Sequence, residues 1–303
     1  MQESLFKHKP HFTGHETFPL RQLWLRKAYD QVSAKINQGG NCFSNTNSVV
    51  NFGVGKNMVS AIRHWAIATD FIQESNKSYV VSDLGEFIFN EKNGKDIFFE
   101  SSVTAWLIHW KLAGEGKRST TWYWLFSYIT DSIFDRELLV ERFSELISEK
   151  KITVSKTTLK RDIDCCLRSY APLSTVCTPE ESSEFVLAEL GLLRSLGKGQ
   201  YEFVRGAKED IPDELFVYAL LVFWEHYAPS SNTLKFEDIV HQYGSPGRVF
   251  KMSEGSIAER LERVEDITEG QLIWSNALGI SEITRNTANL NIAPLEILAR
   301  AYA

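Results

Sequence analysis

Side chains that bind phosphate or transfer protons lie close together near the start of the chain, in Gly14-His15-Glu16 and at Arg21. His15 titrates near neutral pH, so it can transfer a proton or donate a hydrogen bond to a phosphate oxygen. Arg21 can present a planar pair of donors to the same phosphate, while Glu16 can orient His15 or bind a metal ion. The pattern therefore predicts His15, Glu16 and Arg21 as candidate catalytic residues.

A structural role would explain the same residues. Thr17 is a plausible helix cap and Pro19 suits a first helical turn, so a helix is predicted to begin just after the motif. An ion pair between Glu16 and Arg21 would then tie the amino-terminal arm to the start of that helix. The sequence leaves both interpretations open, a functional corner and a structural lock.

A second candidate site is the helix that the sequence predicts over residues 58–71. Apolar residues recur there at helical spacing on one side, whereas the other side is polar and carries no acid near its start. A Gly-Val-Gly turn and Asn57, a candidate cap, precede the helix, and a β-type run at Tyr79-Val80-Val81 follows it. This order is typical of a winged helix-turn-helix, whose recognition helix lies close to DNA phosphates. The residues predicted to contact DNA are Lys56, Asn57, Ser60, Arg63 and His64.

Two other interpretations apply to this stretch. The first is a packing helix with a solvated back, which is the ordinary role of an amphipathic helix. The second is a nucleotide-binding loop, which Gly53-Val54-Gly55-Lys56 superficially matches. These glycines lack the four-residue spacing of a phosphate loop, and no Ser or Thr follows Lys56, so the second interpretation is excluded.

A third candidate surface lies in the middle of the chain, where basic residues cluster on a predicted helix that ends near Tyr170. Between residues 150 and 168 the only acids are Asp162 and Asp164, and the local net charge is +4. Such a stretch predicts a second surface for DNA phosphates, with docking onto an acidic partner protein as the alternative. Its predicted DNA-binding residues are Lys156, Lys160 and Arg161.

The bulk composition excludes several classes of protein. The chain has 303 residues and a formal net charge of -6, so any DNA contact must come from local basic patches rather than from the whole surface. No apolar run is long enough to span a bilayer, and the first residues lack the apolar segment of a signal peptide. The cysteines form no Cys-x-x-Cys pair, which favours a reduced, cytoplasmic protein. They are Cys42, Cys165, Cys166 and Cys177.

The order of the elements predicts a mainly α fold with small β-hairpins, an α+β class built from tandem winged-helix-like units. Helices followed by a hairpin recur three times along the chain. We expect an N-terminal winged-helix domain at 1–130 that carries Gly14-His15-Glu16 and an aromatic helical core. A second winged-helix-like domain is expected at 131–208 and a C-terminal one at 209–303. His109 lies on a helix that is apolar nearly all round, so it is predicted to be a hydrogen-bonded core histidine.

Four motifs, in order between about residues 12 and 285, carry a further signal. They are Phe12-x-Gly14-His15-Glu16-x-Phe18-x-x-Arg21-x-x-Trp24-Leu25-x-Lys27, Phe52-Gly53-Val54-Gly55-Lys56-Asn57-Met58-Val59, Trp106-Leu107-Ile108-His109 and Gly244-Ser245-Pro246-Gly247-Arg248-Val249-Phe250. Through these motifs the chain resembles a bacterial family of domains of unknown function found in phage-defence islands. That family looks like the SspB component of single-stranded DNA phosphorothioation systems, to which a DNA-nicking role is assigned.

The resemblance implies DNA handling while sulfur replaces oxygen on the DNA backbone. It implies DNA as a partner, together with the sulfur-transfer and ATPase proteins of the same defence module. It implies no membrane association, and a homodimer is a further expectation. No settled catalytic motif carries over to particular residues of this sequence.

Three functions remain open: an enzyme that nicks one DNA strand, a non-catalytic subunit that binds DNA and docks partner enzymes, and a winged-helix transcriptional regulator. Hydrolytic nicking normally needs a metal held by carboxylates, or a nucleophile with a base, so Mg or Mn is a candidate cofactor if the protein is a nuclease. The sequence shows no paired carboxylates with a lysine on adjacent strands, which favours binding. Histidines near the amino terminus have metal-binding side chains, but their spacing matches no established ligand set. They are His8, His11 and His15.

Overall fold

A computed structural model of the protein describes residues 8–34, 41–44, 47–76, 78–172, 185–277, 279–286 and 293–303. Up to residue 172, the α-helices in these ranges are α1 (Trp24–Ser33), α2 (Ser48–Phe52), α3 (Lys56–Ala68), α4 (Asp83–Phe89), α5 (Ser102–Trp110), α6 (Thr120–Tyr128), α7 (Arg136–Glu149) and α8 (Lys156–Tyr170). The later helices are α9 (Asp213–Tyr227), α10 (Phe236–His241), α11 (Pro246–Phe250), α12 (Glu254–Glu262), α13 (Val264–Ile267) and α14 (Pro294–Arg300). A π-helical turn at Lys111–Glu115 follows α5, and a 3-10 turn lies at Ala188–Leu190.

The strands form small antiparallel sheets in the described part of the chain. One is a hairpin of β1 (Ile72–Ser75) and β2 (Ser78–Val81). Another contains β3 (Ile133–Asp135), β4 (Leu193–Gly197) and β5 (Gln200–Phe203), in the order β3-β5-β4. The last contains β6 (Thr233–Lys235), β7 (Leu272–Ala277) and β8 (Ile280–Arg285), in the order β6-β8-β7.

The chain folds into two compact units. The first unit contains residues 1–100, 116–122 and 131–204, and the second contains residues 101–115, 123–130 and 205–303. Each unit therefore draws on segments that are far apart in sequence. The division into domains at 1–130, 131–208 and 209–303 stays a prediction, as do the tandem winged-helix-like units.

The predicted α+β class is confirmed, since helices dominate and the sheets have only two or three strands each. All the predicted hairpins are present. Their register places Ile72 opposite Val81, Leu193 opposite Phe203, and Trp274 opposite Ile283. Strong β-type runs on both sides of a short turn are a local signal, which explains why the sequence was sufficient here.

The sequence did not predict the third strand of either larger sheet. β3 and β6 have only three residues each, and a single side chain in each strand is buried, Phe134 and Leu234. A run of three residues is too short to show the alternation of apolar and polar residues that predicts a strand. Each of these strands forms because β5 or β8 offers a free edge, which is a tertiary effect.

The start and the surroundings of α3 differ from the prediction. The helix begins at Lys56 after Gly55, and no side chain caps it, so Asn57 is a helical residue rather than the cap. Its buried residues extend around most of its circumference and include Val59, Ala61, Ile62, His64, Trp65, Ala66 and Ala68. The predicted exposure of His64 was therefore wrong, because other elements of the unit cover the side that its periodicity assigned to solvent.

In the second unit, α5 is buried along nearly its whole length. Its buried residues face every side of the helix, so neighbouring elements must cover all of them. His109 is fully buried, and its Nε2 donates a hydrogen bond to the Val249 carbonyl oxygen over 2.9 Å. The prediction of a hydrogen-bonded core histidine is confirmed. Burial, and to a lesser degree Lys251, lowers the pKa of His109 to about 3.

The segment Gly244-Ser245-Pro246-Gly247-Arg248-Val249-Phe250 forms the start and body of α11. Ser245 caps the helix by accepting a hydrogen bond from the Arg248 amide, and Pro246 occupies its first turn. Lys251 ends it in the left-handed region at φ 55°. The fully buried Nζ of Lys251 donates to the carbonyl oxygens of Phe126 and Ile129 at the end of α6, where carbonyls lack intrahelical partners. Burial, and then Arg205 and Arg248, hold the pKa of Lys251 well below its usual range.

No helix in the described ranges has both the length and the apolar composition needed to cross a membrane. Cys42, Cys165 and Cys166 are buried. Cys177 lies outside the described residues.

We expect His109→Gln to lower the free energy of unfolding by about 1 to 3 kcal/mol at pH 7, because the Val249 carbonyl loses a well-placed donor. Below pH 6.5 the unfolded wild-type chain binds a proton at His109 that the folded chain does not bind until about pH 3. The wild-type protein therefore loses stability on acidification because of His109, whereas the variant has no such loss. Urea unfolding at several pH values should show that the difference in free energy of unfolding between the two proteins narrows by at most about 1.4 kcal/mol per pH unit.

His226→Gln, on the exposed end of α9, is the matched control for removal of a histidine. A gap between wild type and His109→Gln that stays constant from pH 7 to about pH 4 would contradict the assignment of a neutral, buried His109.

Candidate functional site

In the first unit, the loop at residues 12–17 and the first half of α8 line a cavity of about 540 Å³. Two of the sequence-predicted sites meet here, the Gly14-His15-Glu16 motif and the basic helix. The residues that line the cavity are Phe12, Thr13, Gly14, His15, Glu16, Thr17, Thr158 and Arg161. No sequence pattern placed these two segments together, since they are separated by more than a hundred residues.

The loop has a strained backbone. Gly14 has φ 105°, and Glu16 and Thr17 have φ 49° and 65°, a region that non-glycine residues rarely enter. At Gly14 a side chain is excluded twice, by this φ and because a Cβ atom would lie 2.7 Å from the Nδ1 atom of His64. Such strain persists only where surrounding contacts determine the conformation.

His15 supplies most of these contacts. The side chain is 4% exposed, and its Nε2 lies 2.5 Å from Oδ1 of Asp162 in α8. Its Nδ1 accepts a hydrogen bond from the Thr17 amide over 2.9 Å, and its backbone oxygen accepts one from the Phe18 amide. Both ring nitrogens are therefore engaged inside the protein, and this argues against the predicted role of His15 as a direct proton-transfer group.

Asp162 is equally well satisfied. It is 2% exposed, and its second oxygen accepts a hydrogen bond from the hydroxyl of Thr121 in α6. Arg168, two turns further along α8, donates to the Thr17 carbonyl oxygen over 2.7 Å. Hydrogen bonds to Asp162 and Arg168 thus hold the loop against α8, and these contacts account for the strained conformation of the loop.

Opposing influences act on the pKa of His15. Burial lowers it, whereas the Cys165 side chain and the Asp162 carboxylate raise it, with a net value of about 10. A second proton on the ring would occupy Nδ1, where the Thr17 amide hydrogen already points, so this contact opposes the charged form. In either state the Nε2 proton lies between the ring and Asp162.

His64 lies directly behind the loop rather than on the surface. Its ring is 4.9 Å from that of Trp65, 5.4 Å from that of His11 and 5.6 Å from that of His15. Burial, and then the nearby His15 and His11, hold the pKa of His64 well below its usual range, so it is neutral. Because it is covered on all sides, His64 cannot contact DNA as predicted. Its Nε2 has no hydrogen-bond partner among the described residues.

The predicted ion pair between Glu16 and Arg21 does not form. Glu16 is exposed and has no ion-pair partner in the described ranges, while the guanidinium of Arg21 lies 5.7 Å from the ring of Trp24. Arg21 also joins an isolated antiparallel bridge to Phe185. The lock exists, but its members are His15 and Asp162, because left-handed backbone at Glu16 turns that side chain outward.

The basic residues of α8 lie on the exposed side of the same helix that carries Asp162. Lys156, Lys160 and Arg161 are all exposed. The Lys160 ammonium lies 3.3 Å from Oε1 of Glu137. Within the described residues, Lys156 and Arg161 have no carboxylate within ion-pair distance. These two cations therefore remain available to an anionic ligand.

On α3, the remaining predicted contacts cluster at the start of the helix. Lys56 and Asn57 are exposed, and Ser60 and Arg63 are half-buried. The exposed polar surface of α3 is therefore smaller than predicted and consists mainly of its first turn.

The residues of the site do not fit a metal-ligand set. In the part of the chain that the structure describes, no group of three or more His, Cys, Asp or Glu side chains is placed to hold a metal ion. The Nε2 atom of His15 bonds Asp162 and its Nδ1 accepts from the Thr17 amide, so neither ring nitrogen is open to a metal ion. The predicted use of Mg or Mn is therefore not supported by these side chains.

Asp162 is a member of the site that was not predicted, because in the sequence it is only one of two acids on a basic helix. A signal was present. Asp162 lies next to Ile163 and one turn after Leu159, on the side of α8 that the apolar residues assign to the interior. An acid at a buried helical position needs a partner, and that requirement could have indicated a buried hydrogen-bond network.

We expect Asp162→Asn to lower the free energy of unfolding by about 3 to 5 kcal/mol, because an amide cannot accept from both His15 and Thr121 as the carboxylate does. Asp131→Asn is the matched control. It removes the carboxylate of an exposed pair with Arg142, which contributes at most about 1 kcal/mol. Urea unfolding at pH 7 measures both, and equal effects of the two changes would contradict the central role of Asp162.

Comparison with solved structures finds two crystal structures of a protein named SspB, one of them described as magnesium ion-bound. Each has a TM-score of 0.81 and 26% sequence identity, and the similarity covers 96% of this chain and 86% of the other chain. No curated protein sequence matches the chain. The family model described as a protein of unknown function, DUF4007, matches residues 12–302. The chain therefore belongs to the DUF4007 family.

Proposed function

We propose that this protein is the DNA-binding component of a bacterial DNA phosphorothioation system that defends against phage, and that α8 contacts the DNA backbone. The observation that carries the proposal is the placement of Lys156 and Arg161. Both cations are exposed, lie on one rigid helix and have no carboxylate partner among the described residues. Unpaired cations of this kind bind phosphates and release counterions from DNA.

The order of elements around α8 supports this role. β3 leads into α7 and α8, and the hairpin of β4 and β5 then pairs back onto β3 through β5. A helix followed by a hairpin is the arrangement in which a winged helix-turn-helix presents its recognition helix and its wing to DNA. The hairpin tip carries the exposed Lys198 between Gly197 and Gly199, and all three residues have positive φ. Lys198 would then add a phosphate contact from the wing.

The loop at residues 12–17 has a positioning role in this proposal. Arg161 lines the cavity beside it, and the next residue, Asp162, bonds His15. The loop therefore holds α8 rigidly where its cations meet DNA. A rigid surface loses less conformational entropy on binding than a mobile one, so this arrangement favours affinity. Arg161 thus takes the phosphate-binding role that the sequence suggested for Arg21.

The similarity to SspB supports the link to phosphorothioation, and the sulfur-transfer and ATPase proteins of such a module are the expected partners. A homodimer is a further part of the proposal. Under this reading, the first turn of α3, with Lys56 and Asn57, supplies additional DNA contacts together with Ser60 and Arg63.

Strand nicking is the second candidate function, and one specific observation favours it. Glu16 presents an exposed carboxylate from strained backbone at the mouth of a cavity that Arg161 also lines. Backbone strain of this kind is concentrated at functional sites. In this reading Glu16 would act on a water molecule as a general base, while Arg161 would hold the phosphate.

The charge-reversal variant Lys156→Glu/Arg161→Glu tests the DNA-binding surface. The loss of two phosphate contacts should reduce the slope of log affinity against log salt by about 1.8 for duplex DNA and weaken binding at least about tenfold at 0.1 M salt. Fluorescence anisotropy over a salt series measures both quantities. Lys92→Glu/Lys95→Glu, two exposed lysines in the turn after α4, makes the same change in net charge.

The proposal requires that the control variant keep its salt slope. If both variants weaken binding equally, only net charge matters and α8 is not a specific contact. If neither does, DNA binds elsewhere or the protein docks onto an acidic partner.

Glu16→Gln tests the nicking function. In parallel assays with and without Mg or Mn, we expect the wild-type protein to convert supercoiled plasmid to open circles. The variant should lose that activity by about a hundredfold or more, as is typical when a general base is removed. Duplex binding should be unchanged, because Glu16 is not one of the cations of α8. The same rate of conversion by both proteins would exclude Glu16 as the general base, and no conversion by the wild type would leave the binding role alone standing.

A further inference from the structure

In the second unit, two tyrosine rings stack at the end of α6. The rings of Tyr128 and Tyr243 lie 3.9 Å apart between centroids, with 10° between their planes. Tyr243 is 37% exposed, whereas Tyr128 is half-buried. Tyr128 covers one face of the Tyr243 ring, and no other aromatic ring of the described residues contacts Tyr243. The second face of the ring is therefore the one that a further ring could stack on.

The backbone next to Tyr243 is held rigidly. The Gly244 amide donates a hydrogen bond to the hydroxyl of Ser127 over 3.0 Å. Gly244 has φ +74°, and a Cβ atom there would lie 3.0 Å from the ring of the buried Tyr123. Only glycine allows this close approach of the chain to α6. Tyr243 is thus preorganised, and a ligand that stacks on it would not need to order the chain first.

Two arginines lie around the tyrosine pair. Arg248 donates from Nε to the His241 carbonyl oxygen over 2.8 Å, and Arg205 donates from Nη2 to the Thr130 carbonyl oxygen over 3.2 Å. One N–H group of each guanidinium makes this hydrogen bond, and the remaining N–H groups keep their capacity to donate. Among the residues that the structure describes, neither has a carboxylate within ion-pair distance.

The two guanidinium groups also repel each other. Burial lowers the pKa of Arg248, Tyr243 raises it, and Arg205 lowers it again, so the three side chains share one electrostatic environment. Two cations that repel each other without a nearby acid favour an anionic ligand. The carbonyl groups at the helix ends compensate for part of this charge, since each arginine bonds one of them.

We propose that Tyr243, Arg205 and Arg248 form a binding site for single-stranded nucleic acid. An unstacked base lies on the open side of Tyr243, and the flanking phosphates bind the two guanidinium groups. Stacking platforms lined by basic residues bind single strands in this way without reading sequence. A base inside a duplex cannot reach the ring, because it is already stacked on its neighbours. An acidic peptide would satisfy the arginines but would leave the aromatic surface unused.

This site is independent of the duplex-binding surface on α8. It belongs to the second unit, uses no residue of α8, and contains a motif, Gly244-Ser245-Pro246-Gly247-Arg248-Val249-Phe250, that the proposed function leaves without a role.

The test uses the full chain and a labelled oligothymidine of about 12 nucleotides, within the usual size of a single-strand site. Tyr243→Ala should weaken its binding by about 5- to 150-fold, because loss of one stacked base has that effect. Tyr243→Phe should stay within about twofold of wild type, since stacking needs the ring and not the hydroxyl. Both variants should bind duplex DNA with wild-type affinity and salt dependence.

A second measurement does not depend on any variant. Oligonucleotides that carry 5-iododeoxyuridine should, on irradiation, form a covalent link to Tyr243 that peptide mass spectrometry can locate. The variant Lys156→Glu/Arg161→Glu should keep this crosslink, so failure of the α8 proposal is distinguishable from failure of this one.

Unchanged binding of the single strand by Tyr243→Ala would overturn the proposal. So would an equal loss for Tyr243→Ala and Tyr243→Phe at an unchanged melting temperature, because that would assign the effect to the hydroxyl rather than to stacking. Displacement of the oligonucleotide by an acidic peptide with no crosslink at Tyr243 would assign the arginines to a protein partner instead.

Discussion

The hydrogen bond between His15 and Asp162 is the interaction on which the first unit depends. It joins residues 147 positions apart in the chain and is inaccessible to water. A buried carboxylate is costly unless every acceptor is used, and here one oxygen accepts from His15 and the other from Thr121. The ring is satisfied in the same way, since its second nitrogen accepts from the Thr17 amide. A network that is satisfied throughout allows one arrangement of the loop against α8 and penalises the alternatives.

This buried hydrogen-bond network also determines how the exposed side chains of α8 are oriented. Asp162 points inward from α8, and its neighbour Arg161 points outward to the cavity. A helix that is anchored by a buried side chain presents its exposed side chains in one orientation, so the cations of α8 are placed as well as the acid beneath them. The strained backbone of Glu16 and Thr17 follows from the same contacts, because the loop must turn sharply for His15 to enter the interior.

In the second unit, some buried basic side chains pair with carboxylates, and one bonds the carbonyl groups at a helix end. Lys251 is fully buried, and its Nζ donates to the carbonyl oxygens of Phe126 and Ile129 at the end of α6. Arg205 reaches the next free carbonyl, and Lys111 and Glu115 pair within the π-helical turn over 2.6 Å. Helix ends supply partial negative charge without an acid. Arg248 bonds the carbonyl oxygen of His241 at the end of α10 in the same way, and among the described residues neither arginine has a carboxylate within ion-pair distance.

The sequence by itself determined the elements whose signals are local. Helical periodicity and paired β-type runs were sufficient for the main helices, the three hairpins and the α+β class, and the core position of His109 followed from an apolar helix. The sequence also marked the loop and the basic helix as separate candidates. Only the tertiary structure brought them together, because the partner of a buried polar group is chosen by packing and not by spacing. The same limit explains His64, which has the helical position of an exposed residue but lies inside, since periodicity cannot show that a second side of α3 is covered.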